Sequence, residues 1–141
     1  MPYREKVAWL SLISMVVVFL PYFVWVKLHP ATDALPDYRR LALYAAVSLT
    51  WGLILGLGHW RLRSLAPEEA KLPLDERDRA IHHRARSIAY GVLLTGMILV
   101  GCIMPFTDTG WEIVNAAVFM IVLAEAVHDA SVVTQYRRQS S

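Results

Sequence analysis

Three ionisable residues fall within five positions of one apolar stretch: Glu125, His128 and Asp129. Glu125 and His128 form Glu-x-x-His, which sets a carboxylate and an imidazole on one face of a helix. Di-iron four-helix bundles use that spacing to grip metal, and the same pair suits proton or small-cation binding. The di-iron chemistry repeats the motif on a second helix, and this chain has no second Glu-x-x-His. The structural alternative is a polar knot in which Glu125 or Asp129 pairs with Arg84 or Arg86. Stepping back along the helix by three and four places Asn115, Val118 and Val122 on the same face. His59 ends a neighbouring apolar run, and His82 and His83 precede another. Glu125, His128, Asp129, His59 and Asn115 are therefore the candidate ion or ligand residues, with no metal or cofactor specified by the pattern.

A second group lies in Pro73-Leu-Asp-Glu-Arg-Asp-Arg79, where five consecutive charged residues of both signs run from Asp75 to Arg79. Asp75 is a predicted N-cap, with Glu76 and Asp78 at the positive end of the helix that follows. Asp75 and Arg79, and Asp78 and His82, stand at i,i+4 and support one another. Asp75, Glu76, Arg77, Asp78 and Arg79 are the candidate residues for docking a partner. Other chemistry is missing from the sequence. It contains no Gly-x-Ser-x-Gly, no His-Glu-x-x-His and no phosphate-cradling Gly-rich loop. The single Cys102 excludes an internal disulfide and a Cys-x-x-Cys site.

The elements that must position these groups are apolar helices. The 141 residues are 56% hydrophobic and 18% charged, where soluble domains average about 45–50% and about 25%. Mean hydropathy is +0.40. The excess is gathered in four runs near 7–26, 41–60, 87–106 and 113–133. Each is about 20 residues, enough to cross roughly 30 Å of hydrocarbon at 1.5 Å per residue. The remaining tails and loops are too short for a soluble catalytic or DNA-binding domain. The expectation is an all-α polytopic membrane protein, a single domain over 1–141 with four transmembrane helices in two hairpins.

Charge gives orientation. The N-terminus carries Arg4 and Lys6, the 27–40 loop three cations, the 61–86 loop seven, the 105–112 loop none and the C-terminal tail Arg137 and Arg138. Placing both termini and loop 61–86 in the cytoplasm puts eleven cations inside and three outside, so the positive-inside rule predicts N-in, C-in. Trp25, Trp60, Trp111, Tyr38 and Tyr136 fall where interfacial aromatic belts belong. The net charge of +2 comes from cations flanking spans, not from a basic stripe, which argues against direct nucleic-acid binding. The apolar run after Lys6 lacks a small-residue cleavage signature and reads as a retained helix rather than a removed signal.

Along the chain, Pro21 is expected to kink the outer third of the first span. The segment 29–37, with Pro30 and Pro36, reads as a turn. Gly52-Leu-Ile-Leu-Gly56 is a small-xxx-small spacing that suits close helix packing, within the chain or across a homodimer. Pro67-Glu-Glu-Ala opens a short helix. The third long helix is predicted to start near 76 and run to about 104, so its first turns project from the bilayer as a charged stalk.

The run Pro73-Leu-Asp-Glu-Arg-Asp-Arg-Ala-Ile81, followed by Arg84 and Ala89-Tyr90, resembles a group of uncharacterised bacterial inner-membrane proteins. Tyr3-Arg-Glu-Lys-Val-Ala-Trp9 and Trp111-Glu-Ile-Val-Asn-Ala-Ala117 are similar to its members too. The resemblance implies a bacterial inner-membrane location. Genes for such proteins often lie beside those of small helix-turn-helix regulators, which implies a sensing or regulator-tethering role and assigns no catalytic residue. Two functional expectations stand: a non-enzymatic signalling or accessory protein docking a cytoplasmic regulator through loop 61–86, or a homo-oligomeric transporter or channel using Glu125, His128 and Asp129. A place as a subunit of a larger membrane complex is the third.

Overall fold

A computed structural model describes residues 2–30 and 37–140; the turn reading of 31–36, Pro36 included, lies outside the described residues. All regular structure among them is helical. Helix α1 spans Tyr3–Leu28 and runs through Pro21 as one helix. Helix α2 spans Tyr38–Leu65 and is capped by Asp37, whose side chain accepts from the Arg39 and Arg40 N–H groups. The short α3, Pro67–Lys71, has Pro at its start and Glu68 and Glu69 in its first turn, as its sequence predicts. Helix α4 spans Glu76–Cys102, with Asp75 accepting from the Asp78 N–H at 2.6 Å. A 3-10 turn at Met104–Phe106 follows, and α5 spans Gly110–Ser140. Glu112 reaches back to Thr109 at the start of α5, a contact missed by sequence reading: its Oε2 accepts from the Thr109 N–H at 2.9 Å and from the Thr109 hydroxyl at 3.1 Å.

Tyr3–Leu28, Tyr38–Leu65, Glu76–Phe106 and Gly110–Gln139 are each long and apolar enough to span a membrane. Each long helix extends past its apolar run, most of all α4, whose residues 76–86 form the polar stalk.

Helix α5 lies between α1 and α4, and α1 also packs on α2. Two clusters fill the contacts. Met15, Phe19 and Tyr22 of α1 meet Leu43, Tyr44, Val47 and Trp51 of α2 and Val122 and Ala126 of α5. Nearer the N-terminus, Ala8 and Trp9 meet Ile81 and Ala85 of α4 and Val132, Val133 and Tyr136 of α5. Burying apolar side chains stabilises by roughly 25 cal/mol per Å² only against water; in a lipid setting the helices hold by close packing and polar bonds.

Close approach falls at other glycines than the paired ones. A Cβ on Gly58 would sit 2.6 Å from Leu10 Cδ2, and one on Gly96 would sit 2.1 Å from Met120 Cε. Among the described residues nothing lies within 4 Å of such a Cβ at Gly52 or Gly56. The Gly52/Gly56 spacing therefore packs no helix within the chain, and α2 has no buried residue.

Candidate functional site

Three separate parts of the chain meet at one end of the bundle. Arg4 of α1 reaches Asp78 of α4, Nε to Oδ2 at 3.0 Å, and donates from a second nitrogen to the Leu72 carbonyl at 3.0 Å. The Tyr136 hydroxyl of α5 donates to the other Asp78 oxygen, Oδ1. The Asp78 carboxylate thus joins the N-terminal helix, the stalk and the C-terminal helix. Around it the Tyr3 N–H donates to Glu69 Oε2 at 3.1 Å, and Arg77 donates to the Gln139 side chain. Buried Glu5 pairs with Arg137 at 3.6 Å, and that guanidinium lies 5.1 Å from the centre of the Trp9 ring. These groups border an open cleft of about 830 Å³.

Local chemistry explains why the stalk presents Asp78 there. Asp75 fixes the first turn of α4, which sets Asp78 facing the termini and leaves Glu76 and Arg79 exposed. Of the five predicted docking residues, Asp75, Arg77 and Asp78 are bonded within the chain, while Glu76 and Arg79 face outward. Arg4, Glu5, Tyr136 and Gln139 were missed by sequence reading. The signal was the charge count, which already set both termini and loop 61–86 on one side. Tyr136 is buried with its hydroxyl on Asp78.

The α5 group is brought together only in part. Asp129 is 7% exposed; its Oδ1 accepts from His128 Nδ1 at 3.1 Å, and its buried Oδ2 has no hydrogen-bond partner among the described residues. His82 of α4 stacks on His128, ring centres 6.1 Å apart at 27°. Glu125 is exposed and shares a cleft with Arg86 and Tyr90. His59 stands apart on α2, where its Nε2 is 3.4 Å from the Tyr3 hydroxyl. Asn115 belongs to the opposite end, accepting from the Tyr22 hydroxyl at 3.1 Å, roughly 20 Å along α5 from Asp129 at 1.5 Å per residue. Asp129 thus takes its bond from its own helix, and among the described residues neither it nor Glu125 pairs with Arg84 or Arg86. Among the described residues no three His, Cys, Asp or Glu side chains are grouped to hold a metal ion.

At the opposite end Arg40 ties the start of α2 to the end of α1. It pairs with Asp37 at 3.0 Å, donates to the His29 and Pro30 carbonyls at 2.6 and 2.9 Å, and lies 5.6 Å from the Trp25 ring centre.

Comparisons with known protein families, with curated proteins and with solved structures found no match.

Proposed function

We propose that this chain is a non-enzymatic accessory or signalling protein of a bacterial inner membrane that docks a small cytoplasmic regulator or a membrane subunit on the stalk end. In this reading both termini and loop 61–86 are cytoplasmic, and the four spans form two hairpins. The observation that carries it is the Asp78 junction. A loop tied by Arg4 and Tyr136 is a shaped surface rather than a loose connection, and it keeps Glu76 and Arg79 outward. Exposed charges of both signs on a fixed helical turn give register and partner choice more than raw affinity. The test is capture of a protein companion by tagged protein from native membranes in mild detergent, read by native mass spectrometry. Glu76→Lys should lower the captured fraction at least tenfold while the melting midpoint stays put. A companion retained equally by Glu76→Lys overturns the docking surface.

One observation favours a second reading, a homo-oligomeric transporter: the buried Asp129 Oδ2 without a partner. A buried carboxylate bonded to an imidazole that itself stacks on a second one suits a coupling proton or small cation. Asp129→Asn that leaves proton and cation flux into proteoliposomes unchanged excludes it.

A further inference from the structure

Arg79, His82, His83 and Arg86 recur at i, i+3, i+4 and i+7 of α4, and Tyr90 and Leu93 continue the same face at i+11 and i+14. The structure turns this stripe into two clefts that share Arg86. The upper, about 400 Å³, is lined by Leu74, Arg79, His82, His83 and Arg86 and contains no carboxylate. The lower, about 320 Å³, runs between α4 and α5 past Tyr90, Leu93 and Ala124, with Glu125 on its wall. Among the described residues no carboxylate lies within ion-pair distance of Arg79 or Arg86. The change from basic to apolar falls at residue 87, where the stalk gives way to the hydrophobic run.

We propose that this two-part cleft binds one anionic glycerophospholipid, its phosphate in the upper basic part and an acyl chain along the lower groove. The dimensions agree. Arg79 to Arg86 covers roughly 10 Å of helix, close to a headgroup layer of roughly 5–8 Å per leaflet. The chemistry agrees too: the guanidinium groups offer paired donors to phosphate oxygens, and His82 and His83 add ring N–H donors. Tyr90, 65% exposed, supplies the amphipathic ring that headgroup depth favours. Basic pockets between membrane helices take anionic lipids for these reasons. The inference rests on the membrane-spanning helices and not on the docking of a protein partner.

The test titrates the purified full chain in mild detergent with phosphatidylglycerol, phosphatidylcholine of the same acyl chains, and inorganic phosphate, read by native mass spectrometry. Phosphatidylglycerol should bind at least tenfold tighter than phosphatidylcholine. The double change Arg79→Gln with Arg86→Gln should erase that preference, while Arg61→Gln with Arg63→Gln on α2 should keep it. Leu93→Trp, which fills the lower groove without altering charge, should weaken phosphatidylglycerol and serves if the double variant fails to fold. Equal retention of the two lipids overturns the proposal, as does an equal loss in the Arg61/Arg63 variant. Inorganic phosphate binding as tightly as phosphatidylglycerol overturns the lipid assignment, because the groove would then contribute nothing.

Discussion

The two ends of the bundle are built on different principles. At the stalk end, bonds join residues far apart in sequence: Arg4 with Asp78, Tyr136 with Asp78, Tyr3 with Glu69, Glu5 with Arg137. At the other end they are mostly local, as in Asp37 with Arg40, Thr107 with Asp108 and Thr109 with Glu112. Tyr22 with Asn115 reaches furthest along the chain there, and Arg40 ties the start of α2 to the end of α1. Local bonds shape turns and caps; long-range ones decide which helices are neighbours. One end therefore sets the arrangement of the bundle, and the other closes its turns.

Substitutions at matched positions break or sharpen this contrast. Asp78→Ala should have the largest effect. It strips Arg4 and Tyr136 of their shared acceptor, and with Asp78 only 16% exposed and Arg4 27% the loss should be about 2–3 kcal/mol. Thermal unfolding in detergent measures it, and a midpoint equal to that of the parent protein would remove the junction from the account. Raising salt to about 1 M, where the screening length is about 3 Å, should narrow the gap between the two proteins.

Tyr22→Phe comes next. It removes a single interhelical bond in a span, which averages about 0.6 kcal/mol in membrane proteins. A loss as large as that of Asp78→Ala would show that the far end also governs helix arrangement. Asp108→Ala should matter least, within about 0.5 kcal/mol, because its partner is the adjacent Thr107 hydroxyl. A larger drop there, read by the same melts, would mean that this turn carries tertiary structure.

Helix existence was legible in the sequence, because four long apolar runs leave the backbone no other way to satisfy its own hydrogen bonds in hydrocarbon. The Asp75 cap, the short helix at Pro67 and the start of α4 near 76 were legible as well, being set by residues within a turn of one another. The Glu112 contact back to Thr109 was equally local and was overlooked. The paired Gly52 and Gly56 offered a plausible seam, yet the close approaches occur at Gly58 and Gly96, since crossing points depend on how whole helices are set against each other.

The same division holds for the candidate residues. Periodicity put Glu125, His128, Asp129 and Asn115 on one helical face, a property of the sequence alone. Only tertiary structure sent Asn115 to Tyr22, stacked His82 on His128, and left Glu125 exposed beside Arg86. The charge count gathered Arg4, Asp78 and Tyr136 on one side, but not at bonding distance. That distance is decided by α5 lying between α1 and α4, an arrangement fixed by side-chain packing between segments distant in the chain, to which local pattern is blind.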